Sequence, residues 1–118
     1  EETFQLTPLL EPLGDIASYR FADWRNQAVQ LSHDKCASAV YSRQGEAYLL
    51  LVNLDSSPHE VACVLRPDKL PHPLASPRTV RLAGGAATAG ATLNIGDLLG
   101  GGLKLTIPAE DAILIHVR

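Results

Sequence analysis

The sequence is most constrained by Tyr48-Leu49-Leu50-Leu51-Val52, its longest unbroken apolar run, which lies in the segment Cys36–Leu65. An uninterrupted run bounded by turn residues reads as a strand covered on both faces. The whole segment predicts three consecutive antiparallel strands with Glu46–Asn53 in the middle. Before the run, Ala37, Ala39 and Tyr41 alternate with Ser38, Val40 and Ser42; after it, Val61, Cys63 and Leu65 share one face. Arg43-Gln44-Gly45 supplies a tight turn, with Gly45 able to take the positive φ a short hairpin needs. Leu54-Asp55-Ser56-Ser57-Pro58 supplies a second turn.

The remaining segments fit the same architecture. Residues 1–14 contain Phe4 and Leu6, then Pro8 and Pro12, and read as an edge strand or an extended lead-in. In Asp15–Leu31, Phe21 and Trp24 are the large apolar anchors, Ala28–Leu31 reads as a short strand, and Ala22–Asn26 allows one helical turn. Arg66–Pro77 is proline-rich and predicts a surface crossover between sheets. Thr79–Leu82 is a short strand, Ala83–Ala91 a Gly/Ala-rich loop, and Thr92–Ile95 a brief pairing segment. Asp97-Leu98-Leu99, the Gly100-Gly101-Gly102 break, Leu103–Ile107, a turn at Pro108–Asp111 and Ala112–Val117 suggest a closing hairpin. No strong amphipathic helix and no internal repeat is evident. Short strands with turn signals between them predict an all-β, antiparallel, Greek-key-like β-sandwich. It is read as a single domain over residues 1–118, with 1–35 as lead-in and edge strands and 36–118 as the main sandwich. Leu50, Val52, Val61, Leu65, Leu103, Leu105, Ile107, Ile113 and Ile115 are its expected core.

At 118 residues the chain can bury a real core. Its formal net charge of −3, with basic residues scattered singly, argues against a nucleic-acid partner. No apolar run is long enough for a membrane helix, so no membrane partner is expected. The absence of methionine and the Glu1-Glu2 start suggest a piece of a longer protein. Cys36 and Cys63 fall on the outer strands of the expected meander, about 10 Å apart, and are therefore expected as free thiols. The compartment stays open.

Chemistry is sparse. Glu110 and Asp111 are adjacent and, on an extended chain, would point apart, so they do not form a working carboxylate pair. His33, Asp34 and Cys36 crowd together, but nothing completes a zinc-ligand spacing, and His59, His72 and His116 are dispersed, at the surface or at strand ends. Neither glycine cluster carries a phosphate-loop or dinucleotide pattern. No catalytic residue, metal ligand or cofactor site is expected. Among the aromatics, Tyr48 belongs to the central strand. Trp24 is the residue to weigh for packing within the domain, packing against a neighbouring domain, or stacking on a sugar ring.

Two segments carry a resemblance. AVYSRQGEAYLLLVNLDSSPHEVACVL, with its apolar strand ending in Asn53-Leu54, resembles the start of the small C-terminal β-sandwich of glycoside hydrolases of the α-amylase and α-galactosidase kind. GDLLGGGLKLTIPAEDAILIHVR is similar to the end of such domains. The likeness spans residues 37–65 and 96–118, while the segment around ADWRNQAVQL departs from the pattern. The resemblance implies a non-catalytic accessory domain that stabilises or caps an upstream catalytic barrel of the same chain. The catalytic carboxylates would lie on that barrel, so none is carried over here. A free-standing carbohydrate-binding module and an Ig-like interaction domain are the alternatives; the first would need coplanar aromatics on one exposed face, the second a buried Trp against an inter-sheet disulfide.

Overall fold

The structure, a computed structural model, describes residues 19–23, 28–33, 35–71, 77, 79–84 and 92–118. Its strands are β1 (Arg20–Asp23), β2 (Val29–Leu31), β3 (Cys36–Arg43), β4 (Glu46–Asn53), β5 (His59–Leu65), β6 (Val80–Gly84), β7 (Thr92–Leu93), β8 (Leu103–Ile107) and β9 (Ala112–Val117). A short helix, α1 (Ile95–Leu99), precedes β8. The large sheet has six strands in the order β1-β3-β4-β9-β6-β7, and the small sheet three, β2-β5-β8. Every strand pairing is antiparallel. This is the expected all-β, sandwich-like fold.

The β3–β4 hairpin forms as the sequence predicts, with Arg43 opposite Glu46 and Gly45 at φ 90° between them. The third strand of the expected meander does not. β5 leaves the large sheet and pairs with β2 and β8, while β9 takes the place beside β4. The reason lies in the two burial patterns. β5 buries Val61, Cys63 and Leu65 but leaves Glu60 exposed, which suits a sheet with one wet face. β9 is buried along its whole length, as a strand beside the doubly covered β4 must be. The expected closing hairpin fails for the same reason, since β8 and β9 lie in different sheets and Pro108–Asp111 bridges them.

Asn53 fixes the corner where the chain changes sheet. Its side chain is fully buried. Nδ2 donates to the carbonyls of Ser57 (2.8 Å), Ile107 (3.0 Å) and Pro108 (3.2 Å), and Oδ1 accepts from the Asp55 amide (2.9 Å). One amide thereby ties the β4–β5 crossover to the β8–β9 crossover and satisfies backbone groups at the corner.

Between the sheets, Val40, Leu49, Leu51, Ile113 and Ile115 from the large sheet meet Val61, Cys63, Leu65, Leu103 and Ile107 from the small one. Of the expected core, Val52 and Leu105 are only partly buried, and Leu50 packs on the outer side of the large sheet. Cys36 and Cys63 are not joined in a disulfide, as expected, although they lie on different sheets rather than across a meander. Burial pushes the Cys63 thiol up to about 12.

Other differences are local. Ala22 and Asp23 belong to β1 rather than to a helical turn, and Phe21, expected as an anchor, is 58% exposed. Asp97-Leu98-Leu99 is helical, with the Asn94 side chain accepting from the Gly96 and Asp97 amides as an N-cap. The helix ends where Gly102, at φ 113°, donates its amide to the Asp97 carbonyl. The expected crossover over Arg66–Pro77 lies partly outside the described residues; the strands it joins, β5 and β6, are in different sheets, and its described part holds a 3-10 turn at Pro67–Lys69 with Leu70 buried. The expected lead-in over residues 1–14 and most of the Ala83–Ala91 loop lie outside the described residues.

Candidate interaction face

The two outward faces differ in kind. On the small sheet the outward positions are Gln30, Glu60, Ala62, Val64, Lys104 and Thr106, a mixed and mainly polar set. On the large sheet, cross-strand registers line up Phe21 with Tyr41, Tyr41 with Tyr48, Tyr48 with His116, Leu50 with Leu114 and Val52 with Ala112. The alternation of side chains along each strand puts these residues on one face. Leu50, Leu114 and Ala112 are buried there, whereas Ala39, Tyr41, Val52 and Ala83 are partly exposed and Phe21 is largely exposed.

A polar cluster lies at one end of this apolar face. Glu46 accepts from Arg43 through Oε2, at 2.7 Å from Nε and 2.6 Å from Nη2, and its Oε1 lies 2.7 Å from His116 Nε2. The Arg43 guanidinium sits 4.5 Å above the Tyr19 ring, a cation–π arrangement. Tyr19 meets Tyr48 edge-on at 5.8 Å, and Tyr48 stacks on His116 at 4.4 Å. Partial burial favours the neutral Glu46 carboxyl, but the His116 and Arg43 hydrogen bonds outweigh it and hold the group below its ordinary 4.5. Burial, aided by the charges of Arg81 and Arg118, pushes His116 below 6.5 despite the Glu46 hydrogen bond. Burial raises Tyr19, Tyr41 and Tyr48 above 10.0. Glu46 is already bound to a guanidinium, so the cluster supplies no carboxylate free to act as a general base.

Several sequence expectations change here. His116 was expected at the surface or a strand end; it is next to last in β9, but it is 3% exposed and faces the Tyr48 ring. Its alternation with Leu114 and Ala112 was the available signal. The placement of Arg43 and Glu46 either side of Gln44-Gly45 was likewise legible as a facing pair. Trp24, the one residue singled out for an interface or a sugar contact, lies outside the described residues, as do Asp34 and His72.

At the opposite end of β4, His33 stacks on His59 at 3.8 Å, and His59 Nε2 lies 2.7 Å from Asp55 Oδ2. The His59 hydrogen bond holds Asp55 below its ordinary 3.8. Stacked imidazoles direct their lone pairs along their own planes rather than to a shared point, so the pair is not a chelate. Among the described residues no group of three or more His, Cys, Asp and Glu side chains is placed to hold a metal ion. Glu110 and Asp111 lie at an exposed turn.

No family model matches the sequence, and no curated protein matches it. The fold does have a likeness among solved structures. The crystal structure of an alpha-amylase from Geobacillus thermoleovorans complexed with acarbose superposes with a TM-score of 0.56 at 19% sequence identity. The match covers 94% of this chain and 21% of that one. At that identity the likeness is one of fold, and this chain spans only a small share of the amylase's length.

Proposed function

We propose that this chain is a non-catalytic accessory β-sandwich of a carbohydrate-active glycoside hydrolase, of the kind that follows a catalytic barrel at its C-terminal side. In this reading it stabilises or caps that barrel and contributes little to substrate contact. The observation that carries the reading is the asymmetry of the two sheets. The small sheet presents a polar face to water, whereas the large sheet is apolar on both faces and leaves Phe21 and Tyr41 accessible at 5.1 Å from each other. Apolar surface of that sort marks contact with another body. The fold likeness to part of an alpha-amylase and the Asn53-Leu54 strand ending agree with it. The partner is then a catalytic domain of the same polypeptide, and neither nucleic acid nor membrane is a partner.

The isolated chain should hydrolyse no α- or β-glycoside. Two carboxyl groups flanking one glycosidic bond must stand about 5–5.5 Å or about 6.5–9.5 Å apart. Glu46 is committed to Arg43 and His116, and Asp55 to His59. Assay on a panel of glycosides tests this; turnover that disappears on changing a single carboxylate would refute the accessory role. A carbohydrate-binding module is the second reading, favoured by the exposed Phe21 ring beside Tyr41. The rings are tilted at 57° rather than coplanar, which makes them a poor stacking platform.

A further inference from the structure

Among the clustered titratable groups, His116 has an unusual hydrogen-bond account. Its Nε2 lies 2.7 Å from Glu46, and because that carboxylate is ionised near neutrality the proton resides on Nε2 and is donated to Oε1. Nδ1 is then a bare lone pair. It is buried and has no hydrogen-bond partner. An orphaned neutral acceptor is tolerable; an orphaned cationic N–H in the same place would be far more costly.

The surroundings add to that cost. Among the described residues Glu46 on β4 is the one anion in the cluster, and Arg43 on β3 already holds it by two contacts. Arg81, directly opposite His116 on β6, and Arg118, just beyond β9, contribute further positive charge. The Tyr48 ring on β4 stacks on the imidazole, and the Tyr19 ring, ahead of β1, lies against Tyr48. A protonated His116 would therefore be a second cation on a shared carboxylate, with its new N–H facing no acceptor.

We propose that the Glu46–His116 pair is an acid-sensitive latch: it holds β9 to the β3–β4 hairpin while His116 Nδ1 is unprotonated, and proton uptake at Nδ1 loosens the outer face of the large sheet while the small sheet stays intact. The proton comes from solvent, and the imidazolium formed reaches water by leaving its place between Tyr48 and Glu46. This device stands on the geometry of the cluster and holds whatever the domain is joined to. If the outer face is a domain contact, acid weakens that contact first.

An NMR titration of the 118-residue chain tests it, reading the His116 ring nitrogens together with amide exchange across both sheets. The expected result is the Nε2–H tautomer at neutral pH and titration below 6.5. Protection in β9 and the facing part of β4 should then fall relative to β5 and β8, by about tenfold for each pH unit traversed between the ordinary and the folded value. In His116→Gln, whose amide can still donate to Glu46, that selective fall should disappear. Titration at or above the ordinary value, equal loss of protection in both sheets, or the same selective fall in His116→Gln would each overturn the proposal. If the variant does not fold, the comparison of the two sheets in the unaltered chain decides, because a general acid destabilisation would not distinguish them.

Discussion

Asn53 concentrates more structural consequence than any other polar side chain in the described residues. Asn53→Ala would leave three carbonyls and one amide at the sheet-changing corner without their partner. A loss of about 3 kcal/mol is expected from urea denaturation, since each buried group left unpaired costs about 1–3 kcal/mol and water recovers some of them. Asn53→Asp should be no better, because a carboxylate cannot donate to carbonyls. The titrating residues add a pH dependence of definite sign. Glu46 and His116 are both held below their ordinary values, so the unfolded chain binds more protons in acid. The His116 contribution is complete above 6.5 and is lost as pH falls through its folded value. The Glu46 contribution is complete above 4.5 and is lost as pH falls further. Urea midpoints should thus decline in two stages on acidification, with His116→Gln removing the first; a midpoint that rises between neutrality and the first stage would contradict the assignment.

At the scale of elements, the turn after α1 shows why a glycine can be indispensable. Gly102 lies at φ 113°, and a Cβ there would stand 3.1 Å from the Ala62 Cβ on β5. Gly102→Ala should cost on the order of 1–3 kcal/mol in a thermal or urea melt, combining backbone strain with that contact. Gly101→Ala, with nothing within 4 Å, serves as the matched control. These elements also mark what the sequence discloses. The β3–β4 hairpin was legible because its period, turn and facing residues agree. The corner at Asn53 was not, since Leu54–Pro58 has the composition of any turn and only the tertiary partners Ile107 and Pro108 show that it changes sheet. The partner of β4 was not legible, because Val61–Leu65 is as continuously apolar in sequence as Ala112–Ile115, and only their burial tells the two strands apart. Helix α1 was missed because five residues are too few to display a helical period, although Asn94 and the following glycines are cap and stop signals. The strand-end position of His116 was legible, but its burial was not, because a polar residue there gives no local sign of a carboxylate partner on another strand.

For the molecule as a whole, the proposal to be tested is that the accessible β1–β3 side of the large sheet's outer face, where Phe21 and Tyr41 lie, meets a catalytic domain of the same polypeptide. Leu50→Ala and Leu49→Ala separate the two faces of β4. Leu49 lies in the core between the sheets and should cost on the order of 2–5 kcal/mol. Leu50 is buried with Tyr48 and Leu114 on the outer side, so its truncation should also cost stability, whereas attachment to the proposed catalytic domain should respond to Phe21→Ala, at the exposed position. The most direct measurement is amide hydrogen exchange of this chain alone and joined to the proposed catalytic domain. The account predicts added protection in β1 and β3, with β5 and β8 unchanged. Added protection confined to β5 and β8, or none in either sheet, would contradict it.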